Sequence, residues 1–138
     1  MDIEHILTSL ENENNESIMK LTSAKISKHK NDILQKLQLE RNELKEMNKK
    51  LKHYRYVDEI SDIQYGCYIR WISLKNPNSI KLTNGGLICD IIINDDDVNI
   101  RCKNNFNRFM EIKMNENVVF QKLTDQERTL LGALDYLS

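Results

Sequence analysis

The chain has 138 residues, of which 30% are charged and 40% hydrophobic, with a formal net charge of −1. A chain of this length forms one small domain with an extended element, or two very small units. No apolar run approaches the roughly 20 residues of a membrane-spanning helix, and the acidic N-terminus lacks the basic start of a secretory signal. We therefore expect a protein without a membrane partner.

The near-neutral net charge hides an uneven distribution along the chain. Residues 1–17 contain five acidic residues and no Lys or Arg, whereas residues 25–55 contain ten Lys or Arg against four acidic residues. The three cysteines, Cys67, Cys89 and Cys102, form no C-x-x-C pair and lie far from the histidines in sequence. This pattern predicts reduced, buried thiols in a cytosol-like compartment, with no metal site and no cofactor.

Two helical segments are expected in the first part of the chain. Residues 3–11 have apolar residues at helical spacing and predict a short amphipathic helix. Residues 16–56 contain no Gly or Pro and are rich in good helix formers, which predicts one helix roughly 60 Å long. On a heptad pattern, one apolar seam contains seven residues: Ile26, Ile33, Leu37, Leu44, Met47, Leu51 and Tyr54. Two polar residues, Lys30 and Glu40, interrupt this seam.

An apolar stripe this narrow needs a partner surface. The heptad spacing favours a parallel coiled coil of identical chains, which would form an oligomerisation stalk. Ile at d and Leu at a favour bundles larger than dimers. Packing of the stripe on a different protein, or on the chain's own β module, remains an alternative.

From Tyr65 onward the apolar period changes from helical to alternating. This pattern predicts short strands over 65–74, 80–82, 87–93, 98–103, 108–114 and 118–123. The connections are short and polar; Asn84-Gly85-Gly86 and Asp95–Asp97 are interpreted as hairpin turns. Strands and turns at this rhythm predict an antiparallel meander curled into a small barrel. The spacing over residues 65–123 is similar to that of SH3-like and Tudor-like barrels.

The last segment begins with a helix-capping sequence. Thr124 and Glu127 form a capping box, followed by an apolar face at helical spacing over residues 125–137. This helix is expected to close one end of the barrel. The predicted fold is therefore α+β, with a helical coiled-coil stalk in residues 1–60 and, in residues 61–138, a small antiparallel β-barrel with a C-terminal capping helix.

Two groups of residues are candidate binding sites. The first group is aromatic: Tyr65, Tyr68, Trp71, Phe106, Phe109 and Phe120. It would form a cage for a methylated lysine, although core packing explains the same pattern. The second group is basic: Lys45, Lys49, Lys50, Lys52 and Arg55. It would contact nucleic-acid phosphates, although a solvated helix face is the simpler interpretation. No Ser/His/Asp or Cys/His arrangement is suggested, so the chain is not expected to be an enzyme.

Composition adds one indication of role. Asn, Ile and Lys make up a third of the chain, with 16, 16 and 14 residues, and their codons are AT-rich. In composition and in its stalk-plus-barrel design the chain resembles small structural proteins of large AT-rich DNA viruses, including minor virion components. This resemblance implies a virion location, as an alternative to the cytoplasmic one that the cysteines indicate, and it identifies no site residues.

The expected function is that of a non-enzymatic assembly or adaptor subunit. It would associate with itself through the helix and dock on a larger protein through the β module. The alternative is a nucleic-acid- or peptide-binding accessory module that uses the basic helix face and the barrel.

Overall fold

The structure is a computed structural model that describes residues 3–11 and 21–137. It contains four helices in these ranges: α1 (Ile3–Glu11), α2 (Ser23–Gln35), α3 (Arg41–Lys50) and α4 (Asp125–Leu137). Six strands form one antiparallel sheet: β1 (Tyr54–Val57), β2 (Tyr68–Ser73), β3 (Gly86–Ile93), β4 (Val98–Lys103), β5 (Phe109–Lys113) and β6 (Asn117–Lys122). Short 3₁₀ turns precede β2 and β6, at Ile60–Asp62 and Met114–Glu116.

The prediction of one long helix over residues 16–56 is wrong. Its first residues, 16–20, lie outside the described part of the chain, and the rest contains two helices and strand β1. The helical path ends after Gln35, and Gln38 adopts a left-handed backbone conformation with φ of 55°. The chain then folds back, and Asn48 on α3 donates a hydrogen bond of 3.1 Å to the Asn31 side chain on α2. The two helices are therefore an antiparallel hairpin, and the coiled-coil stalk does not exist.

Lys30 explains why a polar residue interrupts the apolar pattern of α2. Its side chain is buried, and its ammonium donates a hydrogen bond of 2.7 Å to the carbonyl of Leu51, just after α3. The same carbonyl accepts a hydrogen bond of 3.0 Å from Tyr54 N–H at the start of β1, so the Lys30 ammonium and β1 share this carbonyl at the end of α3. Burial lowers the pKa of the Lys30 ammonium.

The prediction of a closed barrel is also wrong. The strand order is β1-β6-β2-β3-β4-β5, so β1 and β5 lie at opposite ends of the sheet. Four of the predicted strands match β3 to β6 closely, and the segment 65–74 contains β2. The segment 80–82 forms only an isolated bridge between Leu82 and Ile72, and β1 lies where the helix was expected. Without pairing between β1 and β5, the sheet keeps two edges.

The two faces of the sheet bury two different apolar clusters. The inner cluster has nine buried members: Val57, Ile63, Cys67, Ile69, Trp71, Ile88, Ile100, Cys102 and Val119. Because it contains residues from strands across the sheet, the sheet curves around this cluster. The helix-side cluster lies between α2, α3 and the strands β2 and β6: Leu34, Met47, Leu51, Ile72, Val118 and Phe120. None of its buried members comes from β3, β4 or β5, so the helical hairpin covers only one half of the sheet.

The C-terminal helix begins as the sequence predicts. Thr124 N–H donates to the Glu127 carboxylate at 3.0 Å, and Glu127 N–H donates to the Thr124 hydroxyl at 3.1 Å, which confirms the capping box. The buried Glu127 carboxylate also lies 3.7 Å from the guanidinium of Arg55 on β1. The cap therefore joins α4 to the sheet edge.

Two leucines, one on α2 and one in the turn that follows it, distinguish the helical hairpin from a coiled coil. Leu34 is fully buried in the helix-side cluster but lies outside the predicted seam, whereas Leu37 belongs to the seam and is half-buried. We expect Leu34→Ala to lower the free energy of unfolding by about 2–5 kcal/mol, because it leaves a cavity, and Leu37→Ala to lower it clearly less. Urea unfolding of both variants measures the two losses in the free energy of unfolding. A larger loss from Leu37→Ala would contradict the observed packing.

The three cysteines differ in exposure, contrary to the prediction that all are buried. Cys67 and Cys102 lie in the inner cluster and Cys89 is exposed. Burial, with a smaller contribution from nearby Cys89, raises the pKa of the Cys102 thiol to about 11.

At a pH of about 8, below the ordinary thiol pKa of about 8.5, we expect iodoacetamide to label Cys89 in the folded protein. Mass spectrometry should find Cys67 and Cys102 labelled only after unfolding; rapid labelling of all three would contradict this arrangement.

Candidate binding pocket

A pocket of about 680 Å³ opens where two loops meet the strands β1 and β2. One loop connects β2 to β3 and the other is the β4–β5 turn. Aromatic and amide side chains predominate in its lining, together with one cation: Tyr54, Tyr68, Arg70, Trp71, Thr83, Asn84, Gly85, Asn104, Asn105, Phe106 and Met110. Among the described residues, no carboxylate lines the pocket. These residues lie far apart in sequence, so only the sheet topology brings them together.

Hydrogen bonds to β2 fix the first loop. Trp71 N–H donates to the Thr83 hydroxyl at 3.1 Å, and Thr83 N–H donates to the Trp71 carbonyl at 3.0 Å. The Tyr68 hydroxyl donates to the Asn84 carbonyl at 2.9 Å. The loop is therefore a preformed wall of the pocket.

Gly85 allows this wall to lie against β2. Its φ is +82°, in the left-handed region that favours glycine, and a Cβ atom built there would collide with the carbonyl oxygen of Ile69. The sequence predicts a turn at this position, and the structure adds the close approach to a neighbouring strand. Both features require glycine.

Arg70 is the one charged residue of the pocket lining. It is half-buried on β2, and its Nε donates a hydrogen bond of 2.8 Å to the Thr83 carbonyl. Within residues 3–11 and 21–137, ion pairs form at Arg55 and Lys75, and none involves Arg70. A half-buried cation without a counter-charge favours the binding of an anion, and a guanidinium can hold a carboxylate by two parallel hydrogen bonds.

Tyr54 and Tyr68 add polar groups to the aromatic walls. Burial raises the pKa of the Tyr54 phenol, while nearby Arg70 acts in the opposite direction. A phenol has an ordinary pKa of about 10 and is protonated at neutral pH, so the Tyr54 hydroxyl can donate a hydrogen bond to an acceptor in the pocket.

The six aromatic residues predicted as a cage do not all converge. Tyr68, Trp71 and Phe106 line the pocket, whereas Phe120 is fully buried in the helix-side cluster. Phe109 lies 5.7 Å from the Lys103 ammonium, measured to the ring centre. Tyr65 is exposed, and its hydroxyl accepts a hydrogen bond of 3.3 Å from Ile91 N–H. Three of the six residues therefore line one pocket, and the other three lie elsewhere.

The seven predicted seam residues all pack within the chain. Met47 and Leu51 are buried in the helix-side cluster, and four others lie half-buried against it: Ile33, Leu37, Leu44 and Tyr54. Ile26 packs instead with Leu130 and Leu131 on α4. Contacts with the sheet and with α4 thus account for the apolar pattern of these helices.

The five predicted nucleic-acid contacts fall in two environments. Lys45, Lys49, Lys50 and Lys52 are exposed on α3 and just after it. Arg55 is buried and its guanidinium lies 3.9 Å from Asp62 and 3.7 Å from Glu127. Arg55 therefore links β1 to the capping box, apart from the exposed basic side chains.

Sequence reasoning missed Arg70 as a site residue and assigned Tyr54 to a helix. One signal was present, since Arg70 is the single charge in the strand segment YGCYIRWISL. A charge in a strand that is largely apolar on both faces needs either a partner or a ligand.

Comparison with protein-family models, curated proteins and solved structures gave no match to this chain. In the part of the chain that the structure describes, no helix combines the length and apolarity needed to cross a membrane. Over the same residues, no group of three or more His, Cys, Asp or Glu side chains is arranged to hold a metal ion.

Two glycines with nearly equal φ test the packing of the pocket wall. Gly85 and Gly66 have φ of +82° and +81°, but a Cβ at Gly66 would meet no atom within 4 Å. We expect Gly66→Ala to lower the free energy of unfolding by roughly 1–2 kcal/mol, the cost of a left-handed L-residue, and Gly85→Ala to lower it by more. Urea unfolding curves measure both losses. Equal losses would mean that the loop does not lie against Ile69.

Proposed function

We propose that this protein is a non-enzymatic assembly or adaptor subunit that docks on a larger protein through its β module. The docking site is the pocket around Arg70, and the ligand is an acidic segment of the partner protein. The observation that carries the proposal is the half-buried Arg70 guanidinium in an aromatic-lined pocket, which forms no ion pair with a carboxylate of residues 3–11 or 21–137. The resemblance in composition to minor virion components is consistent with such a role.

The pocket chemistry favours a particular kind of segment. A carboxylate of Asp, Glu or a chain terminus would bind the Arg70 guanidinium, and the Tyr54 hydroxyl would donate a further hydrogen bond. An adjacent apolar or aromatic side chain would lie against Phe106, which is 83% exposed. Exposed aromatic residues and arginines of this kind commonly contribute most of the binding energy in protein interfaces.

The charge of the pocket favours a peptide over a nucleic acid. Nucleic-acid affinity depends on several phosphate contacts, whereas Arg70 is the one cation that lines this pocket. The exposed lysines of the α3 region belong to a different element. A single guanidinium is better matched to a single carboxylate.

Selection of binders from a displayed random-peptide library tests the proposal. We expect the selected peptides to contain Asp or Glu beside an apolar residue, and to lose affinity when that acid is replaced by its amide. Arg70→Ala should weaken binding about tenfold to a hundredfold, as expected for a charge-assisted hydrogen bond. Phe106→Ala should weaken it too, without loss of stability, because the ring is exposed.

Arg101→Ala is the matched control, because Arg101 is an exposed arginine on β4 that does not line the pocket. Its affinity for the selected peptides should equal that of the unmodified protein. Undiminished peptide binding by Arg70→Ala would overturn the proposal. Binding of a single-stranded oligonucleotide that requires Lys45, Lys49 and Lys50, with no peptide binding, would favour the nucleic-acid accessory module instead.

A further inference from the structure

Within the part of the chain that the structure describes, β5 is an edge strand with one side open. It pairs with β4 from Asn99 opposite Lys113 to Lys103 opposite Phe109, and it ends the strand order. Asn104 N–H donates to the Arg108 carbonyl at 2.9 Å. Because backbone groups alternate in direction along an antiparallel strand, Phe109, Glu111 and Lys113 direct their N–H and C=O groups away from β4. The Lys113 carbonyl already accepts a hydrogen bond of 2.8 Å from the Asn117 side chain, and a carbonyl oxygen has a second lone pair for another donor. Backbone groups in this arrangement can pair with another strand.

The core holds this edge in a fixed orientation. Met110 and Ile112 lie on the side of β5 that packs against the inner cluster. Phe109, Glu111 and Lys113 therefore project from the opposite side, and all three are exposed. The helical hairpin does not cover this half of the sheet, and Phe109 remains 64% exposed.

The exposed charges on β5 have opposite sign and lie two residues apart. Charged side chains, especially Lys, and proline commonly protect an edge strand from pairing, whereas a partner strand that places an opposite charge across from each charge is favoured. In β5, an antiparallel second copy can be positioned so that each Glu111 faces the Lys113 of the other copy, with the two Ile112 residues opposite each other. In this register the charges attract, and Glu111 and Lys113 are the residues whose backbone groups face outward.

We propose that two copies of this chain associate through their β5 strands, antiparallel, in the register that pairs Glu111 of each copy with Lys113 of the other. The two sheets then form one continuous sheet across a twofold axis. The contact is small, so it forms a concentration-dependent dimer. This β5 dimer does not use Arg70, so it can form whether or not the pocket binds a peptide. It also differs from the predicted association through the helices.

Charge exchange tests this pairing. Sedimentation velocity of the full chain over a range of concentrations should detect a reversible dimer. Lys113→Glu should weaken the dimer roughly tenfold or more, because two opposed pairs change from attractive to repulsive. Lys113 faces the neutral Asn99 on β4, so this change leaves the pairing within the chain intact. Glu111→Lys should weaken the dimer likewise, although it also places a second cation opposite Arg101.

A mixture of the two variants gives the decisive result. Each variant alone should dimerise roughly tenfold or more weakly than the unmodified protein. An equimolar mixture should recover the dimer, because opposite charges again face each other in the mixed pair. Lys45→Glu on α3 is the control and should leave the dimer unchanged. A monomeric unmodified protein at every concentration, dimers that neither single change weakens, or a mixture that dimerises no better than the single variants would each overturn the proposal. Unchanged urea unfolding of Lys113→Glu verifies that the variant is folded.

Discussion

The fold depends on the burial of β6 on both of its faces. This strand is the last in the chain, yet it lies between β1 and β2 in the sheet. Val118 and Phe120 belong to the helix-side cluster, and Val119 belongs to the inner cluster on the other face. One strand therefore joins the two halves of the core, and the helices and the curved sheet both depend on its position.

Two buried polar contacts fix the elements around β6. The Lys30 ammonium joins the two helices at the Leu51 carbonyl, and the Arg55 guanidinium joins β1 to the cap of α4 through Glu127. Gln121 adds a third connection on β6, since its side chain donates to the Asp62 carbonyl at 2.9 Å. A charged or amide group in the interior must find a partner, so these contacts restrict how the elements can be arranged around the apolar clusters.

The hairpin of β4 and β5 contributes to both proposed interactions. The β4–β5 turn contributes Phe106 to the pocket, and the strand that follows carries the open edge. Alternation along β5 separates the two roles, because Met110 lies toward the pocket and the core while Glu111 and Lys113 face outward. An acidic peptide and a second copy could therefore bind to neighbouring surfaces of the same hairpin.

The sequence by itself determined the local structure: four strands from β3 to β6, the turns between them, and the capping box at Thr124 and Glu127. These features depend on period-two alternation, turn residues and side chains within a few positions of one another. Only the tertiary structure decided that residues 16–56 do not form one helix, because a heptad pattern does not distinguish a second chain from a sheet of the same chain. It also decided that β6 lies beside β1, which leaves the barrel open, and that Tyr54, Arg70 and Phe106 share a pocket. Strand pairing and helix docking are long-range choices made by the burial of whole apolar faces, so no local pattern contains them.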